Sequence, residues 1–302
     1  MLRDGMIKGI IPYPEVTEEE KAMRLYKYYT RPIRLLAPLY SQALDHGPMD
    51  QKNAIPTSDP TQHLLPPGEY MEMSLGYCKH PEGGGFIKHY SFYPGAKFDM
   101  LKWYYTWINI PARNQPKGCG NMKYKIWMPA GHVDHAFING VDNKAGVFTQ
   151  EALDLHQYPG TPYADDFISI RYPIDLEMFG FSKKKQQELR DAGCWLDPAM
   201  VKFFDPKDYH EKGIMTPILG TCVMISMSRP TNGGIEKISA EWVGWEVKDG
   251  KLVYDETTPW WKVREDWLQM GITHATTEAQ HLSDFLPELY AEYGDKPMDC
   301  DC

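Results

Sequence analysis

His274 and Glu278 stand four residues apart near the end of the chain, in the stretch GITHATTEAQHLSDFLPELYAEYG, residues 271–294. Four residues are about one helical turn, so on a helix an imidazole and a carboxylate project from the same face. Two such groups form half of a divalent-metal site. Most isolated pairs of this spacing are ordinary solvated neighbours, so the pair gains meaning only with further donors. The best upstream candidates lie in YKIWMPAGHVDH, residues 124–135. His132 follows a segment that reads as a short strand, Tyr124–Trp127, and a proline turn at Pro129; His135 is close by. Two histidines and one carboxylate leave coordination positions open for water and substrate, the usual mark of a catalytic site. Zinc, manganese and iron all accept such a donor set.

The elements that must carry these groups can be read in outline. Residues 17–45 read as helical, with Thr17 as N-cap and Glu20 completing a capping box. Residues 46–68 are rich in Pro, Asp, Gln and Ser and read as an extended connecting arm. Tyr70–Tyr77 and Gly85–Tyr93 are strand-like around the turn HPEGGG, and Ala96–Ile108 is apolar enough for a buried helix. Residues 166–172 alternate as a half-buried strand does, and Ser182–Ala192 reads as a short charged helix. Thr221–Ser228 and Ile238–Val247 form an expected strand pair around PTNGG. A long helix over 272–293 closes the chain, with Leu282, Phe285, Leu286, Leu289 and Tyr290 on its apolar stripe. The order predicts an α+β fold, a curved antiparallel sheet around a long C-terminal helix with a cavity between them. The expected division is an N-terminal helical extension and arm, 1–69, and a catalytic domain, 70–302.

Composition excludes several function classes. The 302 residues carry a formal net charge of −9, and the Lys183–Lys185 triplet is the longest basic run that stands out, which argues against nucleic acid and acidic membranes as partners. No apolar run approaches a transmembrane length, and the N-terminus lacks an apolar signal core, so a cytoplasmic protein is expected. Six cysteines, with no CxxC among them, read as free thiols. Cys300 and Cys302 sit in an acidic tail that reads as a frayed terminus.

Three blocks give the chain a resemblance to the diacetylphloroglucinol hydrolase and phloretin hydrolase family: FYPGAKFDMLKWYYTW (92–107), YKIWMPAGHV (124–133) and HATTEAQHLSDFLPELYAEYG (274–294). The resemblance runs from about residue 70 to 294, and its last block is the most specific. It implies a Bet v 1-like helix-grip domain with an N-terminal helical extension, a homodimer, and hydrolysis of a carbon–carbon bond between a polyphenol ring and an acyl group. It implies a metal, usually zinc, held by two histidines and two glutamates. Carried over, these include His132, His274 and Glu278, while Tyr124 takes the place of a pocket tyrosine. The fourth ligand has no clean counterpart: the matching pattern, LHQYPG, puts Gln157 there, with His156 the better donor beside it and Asp165 or Asp166 as alternatives. A pocket asparagine is replaced by His135, a pocket tyrosine by Glu241, and a pocket histidine falls at Ile225 or Ser226.

The resemblance thus retains the metal centre and rebuilds the substrate pocket. Changed hydrogen-bond donors imply a changed ligand. The expected chemistry is a hydrolytic retro-Claisen cleavage of a 1,3-dicarbonyl or of a phenol that tautomerises to one, with His135 and Glu241 as acid/base candidates and Tyr124 as a donor to the substrate oxygen. Two small-molecule substrates fit. Ring opening of a cyclic 1,3-diketone such as dihydrophloroglucinol is narrowly favoured over deacylation of an acylphloroglucinol such as phloretin. A non-catalytic ligand-binding module of the same fold is the alternative of another class.

Overall fold

The computed structural model describes residues 16–66, 69, 75–117, 119–132, 136–137, 141–142, 147–148, 168–204 and 217–302. The expected helical stretch at 17–45 is three short helices: α1 (Glu18–Lys21), α2 (Tyr26–Tyr29) and α3 (Pro38–Asp45). The Thr17/Glu20 capping box is formed at α1. Pro32 and Pro38 explain the interruption between α2 and α3, since each lacks an N–H and biases the residue before it away from helical geometry; Pro38 opens α3.

The main sheet has seven strands in the order β1-β2-β9-β8-β7-β6-β3. They are β1 (Gly76–Lys79), β2 (Gly85–Pro94), β3 (Ala136–Phe137), β6 (Ile168–Pro173), β7 (Trp195–Phe204), β8 (Pro217–Thr231) and β9 (Gly234–Val243). All neighbours are antiparallel except β3 and β6. Two small hairpins, β4–β5 (Val141–Asp142, Val147–Phe148) and β10–β11 (Trp245–Lys248, Lys251–Tyr254), complete the strands described. The expected strand at 238–247 therefore ends at Val243, and the chain restarts in β10 after Gly244. An antiparallel sheet with segregated helices makes this an α+β fold.

Side chains alternate across a strand, so each strand separates two environments. Phe86 on β2, Ala240 and Trp242 on β9, and Val223, Ile225 and Met227 on β8 pack in one cluster with Ile55 and Leu64 of the connecting arm. The arm is fastened there: Trp242 Nε1 donates to the Ile55 carbonyl at 3.0 Å, and His63 Nε2 pairs with the Ile225 carbonyl at 2.8 Å. Arg229, paired with Glu236, donates to the carbonyls of Pro66 and Glu69. The arm is thus a packed cover over one sheet face.

The other sheet face carries Ile87 and Val243, packed against Leu268 and Ile272 of the long helix α7 (Glu265–Ser283). Gly85 makes that approach possible, because a Cβ there would stand 2.4 Å from Leu268 Cδ2. The helix expected at 272–293 starts earlier and breaks after Ser283; α8 (Leu286–Tyr293) follows. Pro287 is the reason: it cannot donate to the Ser283 carbonyl and its ring would strike it.

Two more helices close the site end. The expected buried helix is α4 (Phe98–Trp107), whose Leu101, Tyr104 and Trp107 join Leu282, Phe285 and Leu289 in one core. The segment expected to be a strand at 124–127 is instead the turn of helix α5 (Met122–Lys125), capped by Asn121 accepting from the Lys123 N–H at 3.0 Å. Helix α6 (Lys183–Asp191) lies where expected, with Ser182 as its N-cap. The C-terminal tail is docked rather than frayed: Cys300 and Cys302 are buried, Cys302 N–H donates to Asn114 Oδ1 at 3.0 Å, and Lys123 Nζ donates to the Met298 carbonyl. No described helix is long and apolar enough to cross a membrane.

Candidate metal centre

His274 and Glu278 occupy successive turns of α7, as their spacing requires, with His274 Nε2 3.3 Å from Glu278 Oε2. His132 comes from the loop after α5. Backbone bonds from Gly131 and His132 to the Met128 carbonyl wind that loop tightly. His132 is only 1% exposed. Its Nδ1 lies 3.1 Å from the Tyr124 carbonyl, and a carbonyl only accepts, so Nδ1 carries a proton; Nε2 is the atom turned toward Glu278 and His274, donating to the carboxylate when it is protonated and offering a lone pair to a metal when it is not. That Nε2 lies 3.0 Å from Glu278 Oε2 and 3.1 Å from His274 Nε2. The Tyr124 ring stacks flat on the His132 imidazole, with centroids 3.8 Å apart and planes 4° apart. Trp127 meets the same imidazole edge-on at 5.1 Å.

Three donor atoms therefore face one point, and they are the one group of three or more His, Cys, Asp or Glu donors among the described residues that could hold a metal ion. The donor set fits zinc. Ligands at about 2.0–2.1 Å in a tetrahedron stand about 3.3 Å from one another, close to the 3.0, 3.1 and 3.3 Å found. Burial alone would push the Glu278 carboxyl up, but hydrogen bonds and charge from His132 and His274 outweigh it and hold it at about 2. Glu278 is thus an ionised donor at neutral pH and has no proton to give.

Space behind the imidazole is tight. A Cβ added to Gly131 would stand 3.1 Å from His274 Cε1. Helix, loop and glycine together hold His274 against His132.

The remaining expected residues divide into two groups. Glu241 is half-buried and lies level with Ile87 of β2 and Met224 of β8, on the sheet face toward α7. Ser226 lies on that same face, whereas Ile225 packs into the opposite cluster. His135, His156, Gln157, Asp165 and Asp166 lie outside the described residues.

Several polar groups on the α7-facing side of the sheet, apart from Ser226, are not singled out by the sequence. His89 and Ser91 of β2 pair at 2.9 Å, Ser226 and Ser239 pair at 2.7 Å, and Lys237 reaches Tyr105 OH at 3.4 Å. All are buried. Their signal was present in KHYSFY and EKISAE, where polar residues recur at every second position, but only the strand register shows which alternate set faces the helix.

The family model described as the DAPG hydrolase PhiG domain matches residues 55–164 and 174–291. Among curated proteins, phloretin hydrolase of Eubacterium ramulus is 23% identical over 299 residues, covering 93% of this chain and 94% of that protein. A 2,4-diacetylphloroglucinol hydrolase of a Pseudomonas species is 22% identical over 283 residues, covering 89% and 87%. The 2,4-diacetylphloroglucinol hydrolase of Pseudomonas protegens is 21% identical over 283 residues, covering 89% and 84%. Matched over most of its length, including the segments that carry His132, His274 and Glu278, the chain belongs to the DAPG hydrolase PhiG domain family.

Proposed function

We propose that this hydrolase cleaves the carbon–carbon bond between a phloroglucinol-type ring and its acyl group, with a divalent metal, zinc foremost, held by His132, His274 and Glu278. The observation that carries the reading is the convergence of those three donors in a chain of this family. A metal there supplies Lewis acidity and a water of lowered pKa. The fourth ligand is sought among His156, Gln157, Asp165 and Asp166. We place the fold in the helix-grip class, with residues 1–69 as an extension of a catalytic domain at 70–302, and we expect a cytoplasmic homodimer.

The reaction consumes one water. The acyl carbon gains a hydroxyl and leaves as a carboxylic acid; the ring carbon keeps the bonding electron pair and gains a proton. Glu278 stays ionised and cannot supply that proton. Glu241, half-buried on the α7-facing strand β9, is the described carboxyl best placed to do so, with His135 as the second candidate. Tyr124 holds the His132 ring in plane and its carbonyl fixes the imidazole tautomer.

The changed pocket residues by themselves narrowly favour ring opening of a cyclic 1,3-diketone. The relatives, named for phloretin and 2,4-diacetylphloroglucinol, favour acyl removal instead. Ring opening remains the second reading, because Ser226 and Glu241 stand on the α7-facing side of the sheet at positions where the resemblance implies histidine and tyrosine. Offering phloretin and dihydrophloroglucinol separately to metal-analysed protein decides between them. Release of phloroglucinol from phloretin supports acyl removal; a ring-opened acid from dihydrophloroglucinol alone transfers the assignment to the second reading.

A further inference from the structure

We propose that Cys300 and Cys302 form a thiol–disulfide exchange site, a dithiol that low-molecular-weight disulfides convert to an internal disulfide. The inference stands independently of the acyl-removal reading.

The pair lies in PMDCDC, residues 297–302. A disulfide needs its two Cα atoms about 4.4–6.8 Å apart, and two residues of fully extended chain span about 7 Å. A Cys-x-Cys segment therefore closes only where the backbone is held short of full extension. Here the two sulfurs lie 2.8 Å apart, both as free thiols.

The surrounding contacts hold that geometry. The chain turns just before the pair, where the Cys300 N–H donates to the Pro297 carbonyl at 2.9 Å. Lys123 Nζ donates to the Met298 carbonyl. The Arg113 N–H donates to the Asp299 carbonyl at 3.0 Å, and its guanidinium pairs with the Asp299 carboxylate at 3.2 Å. The Cys302 N–H donates to Asn114 Oδ1 at 3.0 Å. The tail is thus tied down on both sides of Cys300 by residues far away in sequence. Sulfurs already in contact meet the proximity that an intramolecular exchange step requires.

The two thiols have different parts to play. Cys302 is buried, and its Sγ lies 3.1 Å from the Cys300 carbonyl, which accepts its S–H. Burial chiefly, and then the hydrogen bond with Cys300, push its pKa up. Cys302 therefore rests as the thiol. Cys300, at 7% exposed, is the sulfur closer to solvent, and access and thiolate character decide which sulfur attacks first.

The chemistry balances in two exchanges. Cys300 gives its proton to solvent, and its thiolate attacks one sulfur of the small disulfide. That S–S bond breaks, one small thiolate leaves and is protonated, and a mixed disulfide remains on Cys300. Cys302 then loses its proton and attacks the Cys300 sulfur, expelling the second small thiolate, which is protonated in turn. The two protein thiols are oxidised by two electrons, and one small disulfide is reduced to two thiols. A ring closed over so few residues removes little chain entropy, so the bond adds little stability and is readily reduced again.

The test treats the full chain, as wild type, Cys300→Ser and Cys302→Ser, with oxidised glutathione. Remaining thiols are then alkylated under denaturing conditions, and the C-terminal peptide is weighed by mass spectrometry. The wild-type peptide is expected to be lighter by two hydrogens, to carry neither glutathione nor alkyl group, and to recover both thiols with dithiothreitol. Cys302→Ser is expected to stop with glutathione on Cys300, and Cys300→Ser to react roughly tenfold more slowly or less. A wild-type peptide that keeps both thiols, or that stops as a glutathione adduct, overturns the proposal. So does a Cys300→Ser variant that reacts as fast as Cys302→Ser. Should either serine variant fail to fold, wild-type stoichiometry decides: two glutathione thiols released for each peptide oxidised support the exchange site, and one released with the other retained contradicts it.

Discussion

The Nε2 atoms of His132 and His274 face each other across 3.1 Å although the residues are 142 positions apart. One comes from a loop after α5 and the other from the middle of α7. Nothing but the tertiary fold brings them together, and Glu278 Oε2 completes the triangle at 3.0 and 3.3 Å. Removing a single donor should therefore empty the centre without unfolding the protein. His274 is partly exposed, so His274→Ala is expected to keep a wild-type circular dichroism spectrum while bound metal, measured by elemental analysis, falls from about one ion per chain to near zero. Retained metal in that variant would exclude His274 as a ligand.

Gly131 tests the same geometry without touching a donor. A methyl group there would press on His274 Cε1 at 3.1 Å, and a metal site tolerates little displacement of a ligand. Gly131→Ala is expected to weaken metal affinity roughly tenfold or more while thermal stability stays near wild type. Competition with a zinc-buffering chelator gives the affinity.

The N-terminal extension is joined to the site by a buried ion pair. Lys125 Nζ lies 2.8 Å from Glu20 Oε1, with the two side chains 2% and 0% exposed. Lys125 shares helix α5 with Tyr124, the residue stacked on His132. Glu20→Gln keeps the capping-box geometry but leaves a buried ammonium without its counter-charge, which should cost about 3–5 kcal/mol. The double substitution Glu20→Met/Lys125→Met should recover most of that. Denaturant melts of the two variants check both statements.

Acid should destabilise the protein at unusually mild pH. Burial, the largest cause in each case, lowers the pKa of His63, His89 and His281 from the ordinary 6.5 to about 4. Between those values the unfolded chain binds protons that the folded chain refuses, so stability is complete above about 6.5 and is lost as pH falls toward 4. Each imidazole contributes at most about 3 kcal/mol to that loss. Unfolding free energy measured from pH 7.5 to 4 should fall with a slope approaching three protons. A flat profile across this range would show that these imidazoles are not buried neutral.

The clearest parts of the sequence were those with strong local rules. The Thr17/Glu20 capping box, the hairpin between β8 and β9, and the helical spacing of His274 and Glu278 each follow from short-range chemistry, and each is present in the fold. Short elements were harder. Tyr124–Trp127 reads as a strand because four residues cannot distinguish a period of two from one of 3.6, and the Asn121 cap that makes it a helix precedes the apolar run. The single long helix was expected through Pro287, where the missing N–H instead starts a second one. The Cys300/Cys302 tail looks like a polar end, yet contacts from Asn114 and Lys123, distant in sequence, hold it down. The polar set of Lys237 and Ser239 was hidden for another reason. Alternation shows that two sets of residues exist, but only the register decides which set faces α7.

The central claim is that water divides a carbon–carbon bond at the site marked by His132, His274 and Glu278. It is tested most directly by incubating metal-loaded wild type and His274→Ala with phloretin in 18O-labelled water and analysing the products by mass spectrometry. The account predicts phloroglucinol and a carboxylic acid carrying newly incorporated 18O from wild type only, with product formation at least a thousandfold lower in the variant (on the order of 4 kcal/mol of lost transition-state stabilisation). Phloroglucinol release by the variant at the wild-type rate, or no release by metal-loaded wild type, would contradict it.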